Sequence, residues 1–141
     1  MNRRQEREEA FLMLFEAEFD SSRTADEIYD CAKESREVEE SAYVRNVLCG
    51  VIDNREELNG LIAKYSKGWQ RDRITTSAAA VMLLAVYEML YMKDVPLRVS
   101  INEAVELVKK FDDEKARVFV NGILNSISHD EAVTAARSEN A

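Results

Sequence analysis

The feature that most constrains this chain is a run of ten consecutive apolar residues, from Ala78 to Tyr87. The wider segment from Ile74 to Met92 contains a single charged residue, Glu88. The ten-residue apolar run is too short to span a bilayer, which takes about 20 apolar residues. We therefore predict a central helix that is buried on most of its faces. Glu88 is expected at the edge of that buried surface, either paired or reaching solvent.

The rest of the chain follows helical periodicity and can supply the helices that surround the central one. One proline and four glycines in 141 residues are too few for the many turns of a strand-rich fold. The predicted fold class is all-α, a single compact domain of about six helices over residues 1–127. A polar, frayed tail is expected at residues 128–141. Four of the other predicted helices run from about Arg4 to Phe19, Thr24 to Ala32, Glu40 to Tyr65 and Asp113 to Ile127. The fifth lies within residues 94–111, where Pro96 stops the preceding helix and the capping residue is Ser100.

Local signals mark some of the helix ends. Thr24 and Glu27 have the spacing of a capping box, and so do Ser100 and Glu103. The stretch KGWQRDR, residues 67–73, is predicted to be a basic connector and contains the only tryptophan.

Three arginines, Arg3, Arg4 and Arg7, lie within the first seven residues of a chain whose net charge is -8. On a helix they fall at roughly 0°, 100° and 40°, on the arc of the apolar residues that follow. Guanidinium groups suit phosphate because they donate two parallel hydrogen bonds and stay charged. The cluster is expected beyond the core, where a small basic patch on an acidic body is compatible with RNA binding. The alternative is that the arginines are merely solvated and neutralised by nearby glutamates.

The sequence offers little for catalysis. The single histidine, His129, lies at the start of the predicted tail, and Cys31 and Cys49 have no metal-like spacing. No glycine-rich phosphate loop is present. We therefore expect no enzyme activity, no cofactor and no metal. Because no export signal is visible at the N-terminus, a cytoplasmic location with reduced thiols is expected.

The stretch FVNG, residues 119–122, is unusual inside a predicted helix. Asn121 and Gly122 are poor helix formers, which together cost about 1 kcal/mol or more. One explanation is close helix packing at Gly122. The other is that Phe119 is partly exposed for a ligand.

Several motifs together resemble one family. PLRVSINEAVELVKKF at residues 96–111 and FVNGIL at residues 119–124 are similar to the C-terminal half of the NusB family of bacterial transcription antitermination factors. AVYEML at residues 85–90 and the start RRQER fit the same family, so the resemblance covers residues 2–127. It implies an all-helical RNA-binding protein without catalytic activity. The implied partners are single-stranded boxA RNA of ribosomal RNA leader transcripts, the ribosomal protein NusE, other Nus factors and RNA polymerase.

The resemblance also assigns site residues. Arg3, Arg4 and Arg7 would clamp the RNA backbone, Phe15 falls where relatives have an aromatic residue near the RNA, and Phe119 begins a motif close to the RNA path. The chain departs from the family at residues 75–84, which carry no charge, and at Lys115, where an acid is common. Both places bear on the face that meets NusE in relatives. Since some relatives pair with themselves, a homodimer stays open beside a monomer.

Two other hypotheses stay open on the sequence alone. A similar helical domain occurs as the RNA-binding module of ribosomal RNA methyltransferases, which are much longer chains with a cofactor-binding α/β half. The chain could also be a helical interaction protein whose arginines have no role in RNA binding.

Overall fold

The computed structural model describes residues 1–67 and 74–138. Most of the predicted connector KGWQRDR therefore lies outside the described residues. The described part is all-α, without strands, and has eight helices where about six were predicted. These are α1 (Arg3–Ala17), α2 (Ala25–Arg36), α3 (Ala42–Asp53), α4 (Arg55–Tyr65), α5 (Thr76–Tyr91), α6 (Leu97–Phe111), α7 (Glu114–Ser128) and α8 (Glu131–Ser138).

The apolar run forms α5, which is the centre of the fold. This helix packs against α1, α3, α4, α6, α7 and α8. Thr75 caps its start, because its side-chain oxygen accepts a hydrogen bond from the backbone N–H of Ala78 at 3.1 Å. Every residue from Ala80 to Val86 is buried, which confirms the predicted central helix. None of the helices in the described ranges is long and apolar enough to cross a bilayer.

The segment predicted as one helix from Glu40 to Tyr65 is two helices, α3 and α4. Asn54 separates them: its backbone N–H and its side-chain amide both donate to the carbonyl of Gly50, at 3.1 and 2.8 Å. An asparagine side chain that bonds the backbone of the preceding turn competes with helix continuation. Because α4 resumes at the next residue, Arg55, the apolar period crosses the break and hides it in the sequence.

The region predicted to be a frayed tail contains α8, so that prediction is wrong for residues 131–138. Asp130 begins this helix by accepting a hydrogen bond from the backbone N–H of Ala132 at 2.8 Å. Lys64 and the hydroxyl of Tyr65 donate to the same carboxylate, at 2.8 and 2.5 Å. These bonds, that of Lys64 foremost, lower the pKa of Asp130 to about 2. Val133 is fully buried, which anchors the helix on the core.

Arg137 fastens α8 to the end of α5. Its guanidinium donates to the backbone carbonyls of Met89 and Val95, at 3.0 and 2.6 Å, and to others nearby. The last carbonyls of a helix have no partner within the helix, so an outside donor satisfies them. Met89 and Arg137 are 48 residues apart in the sequence, so no local sequence pattern predicts this contact.

Of the two predicted capping boxes, one is confirmed. Thr24 and Glu27 exchange the expected side chain-to-backbone bonds at the start of α2. Ser100 and Glu103 do not cap α6, because that helix begins earlier, at Leu97, directly after Pro96. The backbone N–H groups of Val99 and Ser100 donate to the carbonyl of Pro96, at 2.9 and 3.3 Å, so the first turn forms before Ser100. Ser100 and Glu103 instead point to other helices.

Gly50 is required by close packing between α3 and α5. A Cβ added there would lie 2.2 Å from Cε1 of Tyr87, far inside van der Waals contact. Gly60, in α4, is exposed and has no atom within 4 Å of an added Cβ. The two glycines look alike in the sequence but differ in what surrounds them.

We predict opposite effects of alanine at these two glycines. Gly50→Ala should lower the free energy of unfolding by about 1–3 kcal/mol, because the methyl group displaces the Tyr87 ring. Gly60→Ala should raise it by up to about 1 kcal/mol through better helix propensity. Urea unfolding of both variants measures the difference. Equal stabilisation by both would contradict the close approach of α3 and α5.

Candidate nucleic-acid interface

The arginine cluster lies in the first two turns of α1, and a capping box fixes where that helix begins. The side-chain oxygen of Asn2 accepts from the backbone N–H of Gln5 at 2.8 Å, and the Gln5 side chain accepts from the Asn2 N–H at 2.9 Å. Arg3, Arg4 and Arg7 are therefore close to the positive end of the helix dipole, where cations are unfavourable. Each of them is stabilised there by a carboxylate.

Arg7 lies in the protein interior and is only 6% exposed. Its Nε and Nη2 donate to the carboxylate of Glu88, at 2.8 and 3.4 Å. Burial lowers the pKa of Arg7, but the hydrogen bond and charge of Glu88 outweigh it, so the pKa is raised. The prediction that the whole cluster lies beyond the core is therefore wrong for this residue.

Glu88 is fully buried and connects four helices through its carboxylate. Besides Arg7 of α1, it accepts hydrogen bonds from the hydroxyl of Tyr43 of α3 and from Oγ of Ser100 of α6, the latter at 2.7 Å. Burial, and then the charge of Glu88, raise the pKa of Tyr43 well above its usual value. We call Arg7, Tyr43, Glu88 and Ser100 the buried network. Of the two expected arrangements of Glu88, the paired one is observed, but the residue is fully buried and does not lie at the edge of the buried surface.

Arg3 and Arg4 lie on the surface. The Arg3 guanidinium carbon is 4.3 Å from the centre of the Tyr43 ring, and its Nε is 3.3 Å from Glu6. Nε and Nη2 of Arg4 donate to Oε1 and Oε2 of Glu103, at 3.0 and 2.7 Å. The Arg4 side chain nevertheless stays 67% exposed. These two arginines can therefore reach a ligand.

A groove of about 320 Å³ between α1 and α6 extends from Arg4. We call it the α1–α6 groove. Its cations are paired: Lys110 with Glu8 at 2.7 Å, and Lys109 with Glu106 at 3.3 Å. The groove is thus nearly neutral, so anion binding there depends on how the donors are arranged. Its charged lining residues are Arg4, Arg7, Glu8, Glu103, Glu106, Lys109 and Lys110, of which Arg7 is only 6% exposed.

Aromatic side chains continue along α1. Phe15 is partly buried, with its ring centre 6.1 Å from that of Phe11 and 5.1 Å from that of Phe19. Phe111 of α6 lies 4.9 Å from Phe11. Phe19 is 68% exposed, and Phe111 is also exposed to solvent, although less so. The sequence predicted Phe15 at this surface but missed Phe19 and Phe111.

Phe119 lies away from the α1–α6 groove, on α7. It is buried, at 6% exposed, so the expectation of a partly exposed ring is wrong. Close packing at Gly122 is also wrong, because an added Cβ there would meet no atom within 4 Å. Phe119 lines a second cavity of about 680 Å³ between α5 and α7, together with Thr75, Ala78, Lys115 and the exposed Val118.

The histidine and the two cysteines considered in the sequence analysis do not form a site together. His129 ends α7, Cys31 is an exposed free thiol and Cys49 is a partly buried one. Within residues 1–67 and 74–138, no three His, Cys, Asp or Glu side chains form a cluster able to hold a metal ion. Tyr43, Ser100 and Glu103 acquire their roles only through contacts with distant helices, and no local sequence pattern predicts these contacts.

The fold and this surface are those of a helical binding protein that presents two arginines at the start of its first helix. Residues 4–129 match the NusB family. The chain belongs to that family.

Relatives agree over nearly the whole chain. The transcription antitermination protein NusB of Acetivibrio thermocellus is 37% identical, over 99% of this chain and 97% of its own. A solved structure of NusB from T. maritima superposes with a TM-score of 0.83 at 29% identity, covering 96% of each chain. A solved complex of the antitermination factors NusB and NusE with dsRNA superposes with a TM-score of 0.77 at 26% identity, covering 90% of this chain and 97% of the other.

The buried network predicts different consequences for two neighbouring arginines. Arg7→Ala should destabilise the protein by about 3–5 kcal/mol, because it leaves Glu88 charged and unpaired in the interior. Arg4→Ala removes a solvent-exposed pair and should cost less than about 1 kcal/mol. Urea unfolding compares the two. Similar small losses in both variants would contradict a structural role for Arg7.

Proposed function

We propose that this protein is an RNA-binding transcription antitermination factor. In this proposal it binds single-stranded boxA RNA of ribosomal RNA leader transcripts together with NusE, as part of a larger complex with other Nus factors and RNA polymerase. The observation that carries the proposal is the pair of exposed arginines, Arg3 and Arg4, beside the α1–α6 groove in a member of the NusB family. The solved complex of the antitermination factors NusB and NusE with dsRNA supports the coarser part of the proposal, RNA binding together with NusE.

Arg3 and Arg4 are the proposed phosphate contacts. Guanidinium groups can donate bidentate bonds to phosphate, and Arg3 is held against an aromatic ring that limits its motion. Arg7 contributes indirectly in this proposal, because it is only 6% exposed and its guanidinium is bonded to the Glu88 carboxylate. It fixes α1, and with it Arg3 and Arg4, to the centre of the bundle.

The aromatic residues are the proposed base contacts. Stacking of unpaired bases on aromatic rings is the common mode of single-strand recognition. Phe15 has a partly accessible ring between Phe11 and the exposed Phe19, so bases could stack along this edge of α1. Phe119 is a weaker candidate, because its access to RNA runs through the second cavity.

We further propose that NusE contacts the second cavity. This cavity includes Thr75 and Ala78, in the uncharged stretch, and Lys115, so both departures from the family pattern meet there. Its exposed apolar residue is Val118, at 62%. Since the α1–α6 groove is nearly neutral, we expect modest RNA affinity for the protein alone and tighter binding with NusE.

The two other hypotheses have less support. The A. thermocellus relative is matched over 97% of its own length, so that relative has no room for the α/β half of a methyltransferase. In the interaction-protein hypothesis the arginines have no role in RNA binding. A measurement of RNA binding therefore distinguishes that hypothesis from ours.

Fluorescence anisotropy with labelled single-stranded boxA RNA and a scrambled RNA, with and without NusE of the same organism, tests the function. We expect tighter binding to boxA RNA, enhanced by NusE. Arg4→Gln should raise the Kd for boxA RNA about tenfold, as loss of a charged hydrogen bond implies. It should also reduce the slope of log K against log salt by about 0.7, the value for one phosphate contact on a single strand.

Arg45→Gln is the control for this variant. Arg45 is an exposed arginine paired with Asp26 at 3.3 Å, on α3, so its loss changes the net charge equally. It should leave RNA binding within about twofold, since a screened distant charge contributes little. No preference for boxA RNA in the wild type, with or without NusE, would contradict the proposed function.

A further inference from the structure

We propose that Glu103 is a positioning residue for the RNA contact of Arg4. The inference rests on the proposed function, since it concerns how one arginine of that surface is presented. Glu103 itself need not touch RNA. It holds the Arg4 guanidinium in the orientation that phosphate binding requires.

The ion pair between Arg4 and Glu103 is unequal in its exposure. The Glu103 side chain is only 17% exposed, whereas that of Arg4 is 67% exposed. Glu103 sits on α6 beside Ala104, which is buried, and one turn before Leu107, which is also buried. The carboxylate is therefore the fixed partner, and the long arginine side chain is the one that it orders.

The geometry of the pair leaves the arginine able to bind a second anion. Glu103 accepts from Nε and Nη2, which is one edge of the planar guanidinium. Guanidinium has five N–H donors, so Nη1 and the second hydrogen of Nη2 remain for another acceptor. The hydrogen bond and charge of Glu103 raise the pKa of Arg4, so the group stays cationic. A phosphate can bind the free edge without displacing the carboxylate.

Two effects of Glu103 on RNA binding have opposite signs. Its negative charge repels phosphate, while the ordering of Arg4 removes an entropic cost that a free arginine would meet on binding. A carboxylate that served to mask Arg4 would cover it, yet the arginine remains largely exposed. The ordering effect is therefore the one that the geometry favours.

A double-mutant cycle tests this inference with four proteins: wild type, Arg4→Gln, Glu103→Gln and the double variant. Binding to the boxA RNA is measured by anisotropy in the presence of NusE. Glu103→Gln should raise the Kd roughly three- to tenfold, the range for ordering one long side chain. In the Arg4→Gln background the same substitution should not raise the Kd further, because Glu103 acts through Arg4.

Glu9→Gln is the matched control. Glu9 lies on α1, the same helix as Arg4, and its side chain has a similar exposure, 24%. It pairs with Arg36 of α2 at 2.6 Å. Its loss changes the net charge by the same amount, so RNA binding should stay unchanged or tighten by up to about twofold. Glu103→Asp keeps the charge but shortens the side chain, and it should weaken binding as well. Urea midpoints of all variants establish that each is folded.

Three results would overturn the inference. Tighter RNA binding by Glu103→Gln, to the degree seen for Glu9→Gln or more, would mean that the carboxylate competes with phosphate. An equal loss with and without Arg4 would mean that Glu103 acts through the fold. An unchanged Kd would mean that Arg4 needs no positioning. In each case the wild type still prefers boxA RNA, which separates these results from failure of the proposed function.

Discussion

The ion pair between Arg7 and Glu88 is the interaction on which the arrangement of the helices depends. Taking two charges out of water is unfavourable, and only close geometry with further hydrogen bonds offsets that cost. Here the geometry is close, at 2.8 Å, and the hydroxyls of Tyr43 and Ser100 supply the further bonds. Glu88 lies on the central helix α5, and its partners Arg7, Tyr43 and Ser100 come from α1, α3 and α6. It therefore fixes the orientation of the first helix relative to the rest of the bundle.

This constraint divides the arginine cluster into two kinds of residue. Arg7 is part of the interior, whereas Arg3 and Arg4 lie at the surface with their guanidinium groups held by Tyr43 and Glu103. Tyr43 belongs to both sets, since it bonds Glu88 and lies under Arg3. Direct contacts through Tyr43 therefore connect Glu88 in the core to Arg3 at the surface. The proposed RNA contact of this acidic protein therefore uses few cations, each of them held in place by the fold.

The sequence predicted the parts of this structure that depend on local patterns. The apolar run predicted α5, and the Thr24–Glu27 spacing predicted the start of α2. The sequence left Glu88 at the edge of the buried surface, either paired or reaching solvent. It failed where distant contacts decide the outcome. Arg7 and Glu88 are 81 residues apart, and Arg4 and Glu103 are 99 apart, so no spacing rule connects them.

One further failure has the same cause, and two others have local causes. Residues 131–138 read as a polar tail, because their anchors are contacts of Asp130 with α4 and of Arg137 with the end of α5. Asn54 ended α3 without disturbing the apolar period. Phe119 is buried because the apolar face of α7 is wider than its strict periodic stripe. The motif that resembled the family identified the fold more reliably than it identified which side chains are exposed.

The most direct test of this account is the NMR signal of the arginine Nε–H groups during titration with boxA RNA in the presence of NusE. The account predicts that the Arg4 signal shifts on RNA binding, while the Arg7 signal stays in place and exchanges slowly with water. Arginine-to-lysine variants assign the two signals. A shift of Arg7 as large as that of Arg4, with rapid exchange, would mean that Arg7 leaves Glu88 to bind RNA and would contradict the structural role of the pair.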